Sequence, residues 1–142
     1  MLEQMTRGLN LEGRIIFRGW VNADQANRYL RQSDVFVMPS LREVGGIVLL
    51  EAMAVGLPVI ATDWGGPAIH VTDQTGIRIP PTTREGFIQG FADAMLRLAR
   101  DPDLRKQMGE AGQKRVQTNL YDWAQKTDRL IEIYKETLAA SR

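Results

Sequence analysis

No cysteine occurs in the 142 residues, which excludes disulfides, cysteine-based zinc sites and thiol nucleophiles. There is one histidine, His70. A Ser-His-Asp triad or a multi-histidine metal site would have to be built around it alone. Neither sign of charge dominates: 18 Lys and Arg stand against 17 Asp and Glu. Nothing in that balance calls for a nucleic acid or an acidic partner. Long hydrophobic runs are also lacking. The most apolar stretch, Gly45 to Ala61, is broken by Glu51 and Pro58, too interrupted to span a bilayer. The opening MLEQMTRGLNLEG has no apolar core behind a basic cluster, so it does not read as a signal peptide. What is present is ordinary: 44% hydrophobic and 25% charged residues, as in a single soluble, cytoplasmic globular domain covering residues 1–142.

Patterning predicts alternating strands and helices. Leu2, Met5 and Leu9 recur at helical spacing, which predicts a short helix over 2–10. IIFRG (15–19) is β-branched and aromatic and stopped by glycine, the pattern of a strand. Asn22 followed by Gln25 predicts a capping box opening a helix with Ala26, Tyr29 and Leu30 inward. VFVMP (35–39) is apolar throughout, as a strand covered on both faces should be. Residues 46–55 read as a helix ended by Gly56 and Pro58. PVIAT (58–62) and GIRIP (76–80) read as further strands, separated by a glycine-rich loop, DWGGP (63–67).

Phe87, Phe91, Met95 and Leu98 predict a helix over 84–100. Asp101 and Pro102 cap and start another, with Leu104, Met108 and Ala111 on one face. A last helix, about 121–139, is expected to bury Trp123, Thr127, Leu130, Ile131, Tyr134 and Leu138. This order predicts an α/β fold: a Rossmann-like parallel sheet flanked by helices, ending in several α-helices.

In such sheets ligands bind beyond the carboxyl ends of the strands, which directs attention to Gly19–Val21, Pro39–Gly46, Thr62–Pro67 and Pro80–Thr82. The second segment runs into a helix as P-S-L-R-E-V-G-G-I-V-L-L-E-A-M-A, residues 39–54. Gly45 and Gly46 sit at the loop-to-helix turn, where a backbone without Cβ admits a ligand closely. The unpaired N–H groups and dipole of a helix start suit an anion such as a diphosphate. Glu43 precedes the turn and Glu51 follows eight residues later; carboxylates accept from the paired hydroxyls of a sugar or ribose. Glu51 stands inside an apolar run, where a charge is costly unless it is used or paired. His70 reads as a loop residue without special role. Trp20 reads equally as a base-stacking platform or as cover for a helix end. Arg105, Lys106, Lys114 and Arg115 read as a solvated basic face.

From Ser33 to Thr62 the string S-D-V-F-V-M-P-S, the pair Glu43 and Glu51 spaced E-x7-E, and E-A-M-A-V-G-L-P-V-I-A-T together strongly resemble the family 4 glycosyltransferases, the glycosyl transferases group 1 domain. I-I-F-R-G-W-V, Asp63-Trp64-Gly65-Gly66-Pro67 and Thr75-Gly76-Ile77-Arg78-Ile79-Pro80 resemble further motifs of that family in order. The tail with Tyr121-Asp122-Trp123 and Leu130-Ile131-Glu132-Ile133-Tyr134 is similar to its closing helices.

The resemblance implies the C-terminal, donor-binding domain of a retaining, two-domain (GT-B) enzyme that needs no metal and no cofactor. Its substrate would be a nucleotide diphosphate sugar, and the acceptor an unknown glycan or lipid-linked molecule, as in polysaccharide biosynthesis. No nucleic acid is expected as a partner. Catalysis would rest on Glu43, holding hydroxyls of the donor sugar, and Glu51 would hold the ribose. Gly45, Gly46, Ile47 and Val48 would meet the diphosphate. Gly19, Trp20 and Val21 would border the base, and Gly65 and Gly66 would complete the pocket.

The chain departs from the family in three places. Glu43-Val44-Gly45-Gly46 stands where E-G-F-G is common, and Ile69 and His70 stand where an acidic residue often lies. No basic pair for the diphosphate is found, since Arg7, Arg14 and Arg18 do not match its positions. The expectation is therefore a domain truncated at its N-terminus and inactive without the acceptor-binding N-terminal domain. In the full-length protein it would be cytoplasmic or membrane-peripheral. The alternative is a non-catalytic nucleotide or nucleotide-sugar-binding module.

Overall fold

The computed structural model describes residues 1–118 and 123–140. Three parallel strands form one sheet in the order β1 (Phe36–Met38), β2 (Val59–Thr62), β3 (Gly76–Ile79). Phe36 is opposite Val59, and Val59 is opposite Gly76, so all three strands end at one edge. The loops after Met38, Thr62 and Ile79 therefore gather there. β2 is buried along its whole length, as its apolar run Val59–Ala61 requires in a sheet covered on both faces.

Seven helices complete the described residues: α1 (Leu2–Gly8), α2 (Ala23–Arg31), α3 (Ile47–Ala54), α4 (Gly65–His70), α5 (Arg84–Arg100), α6 (Pro102–Thr118) and α7 (Trp123–Ala140). None is long and apolar enough to cross a membrane. One face of the sheet packs with α3 through Met38, Leu49, Met53, Val59 and Ala61. The other packs with α5 and α6 through Ile60, Ile79, Phe91, Leu98 and Met108.

The expected caps form. Asn22 Oδ1 accepts from Gln25 N at 2.9 Å while the Gln25 side chain accepts from Asn22 N at 3.1 Å. Asp101 Oδ1 accepts from Leu104 N at 2.9 Å, and Pro102 opens α6 where its missing N–H is no loss. The α6 surface then supports two shorter helices at their ends. Gln113 donates to the Ala54 carbonyl at 3.2 Å, and Arg115 donates to those of His70 and Ile69 at 2.9 and 3.2 Å. These groups satisfy carbonyls that a helix C-terminus leaves unpaired.

Four expectations need correction. Residues 15–19 form no strand: Ile15 makes an isolated bridge to Glu12, and Ile15, Ile16 and Phe17 are exposed. A strand persists by laddering with a neighbour, and β1 pairs with β2 alone. The DWGGP loop is shorter than its motif, because Gly65 already begins α4. α7 is helical as expected, but Trp123, Thr127, Leu130, Ile131, Tyr134 and Leu138 are all exposed. Periodicity reveals an apolar face, not a partner, and no other described element covers this one; Tyr121 and Asp122 lie outside the described residues. Finally, Arg105 and Arg115 are not simply solvated. Arg105 Nη1 donates to the Leu98 and Ala99 carbonyls, so two of the four basic side chains cap helix ends.

Candidate functional site

The site is a seam between two loops at the carboxyl edge of the sheet. Residues 39–46 leave β1 and end in Gly46, which adopts φ 63 and ψ 27 as the N-cap of α3. That left-handed conformation suits glycine and few other residues. Glu43 turns back on this loop: its Oε1 accepts from Gly45 N at 3.0 Å and from Gly46 N at 2.7 Å. Two backbone N–H groups thus converge on one anionic oxygen at a helix start. The next N–H groups, of Ile47 and Val48, have no carbonyl behind them in α3 to meet.

The second side of the seam is Gly65–Gly66. Gly66 N donates to the Glu43 carbonyl at 3.3 Å. A Cβ on Gly66 would come within 2.5 Å of the Val44 carbonyl oxygen, and one on Gly65 would collide with that of Glu43. The glycine pair is there because the two backbones touch. His70, at the end of α4, places Nε2 2.8 Å from the Gly45 carbonyl oxygen. A third support comes from β3. Arg78 reaches Asp63 at 3.4 Å, before α4, and Asp73 at 3.1 Å, after it, so one guanidinium ties both ends of the segment carrying Gly65, Gly66 and His70.

Glu43, Gly45, Gly46, Gly65 and Gly66 are therefore brought together. Glu51 is not part of that seam. It lies one turn beyond Ile47, on the same exposed face of α3. There it lines a groove of about 420 Å³ shared with Ala23, Asn27, Leu30 and Arg31 of α2. It is exposed and makes no ion pair among the described residues. The expectation of a charge forced into an apolar interior is corrected: the apolar residues around it in sequence, Leu49, Ala52 and Met53, point the other way into the core. Gly19, Trp20 and Val21 lead directly into α2. Trp20 is 88% exposed, so it covers no helix end.

Three residues not expected at the site support this seam: His70, Arg78 and Arg115. The only available signal was spacing, since His70 falls at the end of a six-residue helix that a glycine-rich string does not announce.

The comparisons with known proteins bear on this geometry. Residues 1–115 match the family described as Glycosyl transferases group 1. The chain belongs to the group 1 glycosyl transferases. Over 120 residues it is 37% identical to a D-inositol 3-phosphate glycosyltransferase of Saccharomonospora viridis, a match covering 84% of this chain and 26% of that protein. Among solved structures it is similar to the sucrose-phosphate synthase of Thermosynechococcus elongatus, with a TM-score of 0.82 at 32% identity. That match covers 98% of this chain and 34% of the other. It also resembles the C-terminal domain of a group 1 family glycosyl transferase from Francisella tularensis, with a TM-score of 0.73 and 33% identity over 83% of this chain and 60% of that one. The solved relatives have the GT-B fold, and this group 1 chain corresponds to about a quarter of the length of the first relative.

Proposed function

We propose that this chain holds the nucleotide diphosphate sugar of a retaining, metal-independent glycosyltransferase, and that transfer requires an acceptor-binding domain outside it. What supports the reading is the start of α3. There, N–H groups already converge on an anionic oxygen, and Glu51 stands exposed one turn further on.

In this reading the nucleoside lies along the exposed face of α3, bordered by Gly19, Trp20 and Val21. The ribose hydroxyls donate to Glu51, which has no competing ion pair among the described residues. The diphosphate meets the N–H groups of Ile47 and Val48, with Gly45 and Gly46 beside them. When the bond from the sugar C1 to the diphosphate breaks, charge grows on the departing oxygen and is met by these fixed N–H dipoles. The sugar, oxocarbenium-like at that moment, faces Glu43 and the Gly65–Gly66 turn. Glu43 is the catalytic carboxylate here. It is pinned through Oε1 by two N–H groups and accepts from the sugar hydroxyls. The acceptor is a glycan or a lipid-linked molecule, and the reaction takes place on the cytoplasmic side of a membrane or free in the cytoplasm.

Calorimetric titration with UDP, GDP, ADP and their common sugars tests this, with Glu51→Ala as control. Binding by one nucleotide series that weakens in the variant is the expected result. A folded wild-type chain that binds none of them would end the donor-site reading and leave only the fold and family.

A further inference from the structure

Resting on the donor-site reading, we propose that His70 is a positioning residue: it locks the Gly45–Gly46 peptide so that the Gly46 N–H stays aimed at Glu43 and holds that carboxylate toward the sugar. The argument begins with one peptide plane. No cis peptide occurs among the described residues, and in a trans unit the carbonyl and the N–H point in opposite directions. His70 Nε2 meets the Gly45 carbonyl oxygen at 2.8 Å on one side of this plane, while Gly46 N donates to Glu43 at 2.7 Å on the other. Whatever fixes the carbonyl fixes the N–H.

A lock is needed at this place because both flanking residues are glycine. Rotating a peptide between two glycines meets little steric resistance, and the rotated form would turn the carbonyl dipole, not the N–H, toward the Glu43 carboxylate. Glu43 holds the plane from the N–H side only, and its own side chain is positioned by the same peptide. His70 acts from the far side and is itself anchored. Arg115 of α6 donates to the His70 carbonyl at 2.9 Å and to that of Ile69 at 3.2 Å. A continuous chain therefore runs from the α6 scaffold through His70 to the N–H. A carbonyl oxygen only accepts, so Nε2 must carry the proton, which defines the tautomer of the neutral ring.

The ring also packs: a Cβ built on Gly46 would lie 3.5 Å from His70 Cδ2. His70→Phe keeps that packing and removes the donor; His70→Gln restores a donor. The experiment measures binding of the nucleotide sugar that the wild type takes up, together with thermal melting. His70→Phe is expected to weaken binding at least about tenfold, about 1.4 kcal/mol, because a loosened Gly45–Gly46 peptide no longer holds Glu43 toward the sugar, with a melting temperature close to that of the wild type. His70→Gln is expected to recover most of the affinity. Equal binding by His70→Phe and the wild type would overturn the lock. Absence of wild-type binding would instead defeat the donor-site reading.

A second measurement needs no variant. The ¹⁵N shifts of the neutral His70 ring should show the Nε2–H tautomer. Finding the Nδ1–H tautomer would overturn the proposal even if His70→Phe fails to fold.

Discussion

Glu43 Oε1 stands 2.7 Å from the Gly46 amide nitrogen, so the carboxylate proposed to serve the sugar also closes the turn that leads into α3. The same oxygen takes the Gly45 N–H. Replacing Glu43 by alanine leaves both donors without this acceptor, and stability should fall by about 1–2 kcal/mol. Glutamine keeps an acceptor oxygen and should lose less. Denaturant melts of the three proteins check the order wild type, Glu43→Gln, Glu43→Ala; an alanine variant as stable as the wild type would mean that these two bonds carry no energy.

Gly66 tolerates no side chain. Its added Cβ would fall 2.5 Å from the Val44 oxygen and 2.7 Å from the Gly45 carbonyl carbon, and both are backbone atoms that cannot turn aside. Gly66→Ala should destabilise the domain by about 1–3 kcal/mol and open the seam. Thermal unfolding reads the first effect and nucleotide titration the second. Unchanged melting would show that the loops can separate freely.

Glu51 should behave in the opposite way. It is exposed and unpaired with any cation among the described residues, so Glu51→Ala should change stability by no more than about 0.5 kcal/mol. Loss of a charge-assisted bond to ribose should lower nucleotide affinity about tenfold or more. A large drop in stability would indicate a structural role instead.

The capping box at Asn22 makes a separate claim about α2. Asn22→Ala removes the acceptor for Gln25 N and should cost about 1 kcal/mol. Because α2 forms one wall of the groove beside Glu51, nucleotide binding should weaken with it. Chemical denaturation and titration of the same variant measure both.

None of α7 is buried. Ending the chain after Thr118 should therefore leave the melting temperature of the remaining body within about 4 °C. A much lower midpoint would mean that α7 contributes packing that its exposure does not suggest.

The elements legible from sequence were those with a local cause. Asn22 and Gln25, Asp101 and Pro102, and the apolar spacing of Phe87, Phe91 and Leu98 each predicted a boundary or a face that the structure has. The site was legible in part for the same reason, since Glu43, Gly45 and Gly46 are close in sequence and meet in one turn. The segment 15–19 shows the limit: β-branched residues state a preference for extended backbone, but a ladder needs a second strand. Likewise Leu130 and Tyr134 mark a face without naming its cover.

By itself the sequence determined the family, the α/β alternation and the pair Glu43 and Glu51, because each is written in neighbouring residues and their spacing. Only the tertiary structure decided that Gly65 and Gly66 are there to let two loops touch, that Glu51 faces solvent while its neighbours fill the core, and that His70 and Arg115 hold the Gly45 peptide from α6. Those facts depend on contacts between residues 21 to 46 positions apart, which no local pattern encodes.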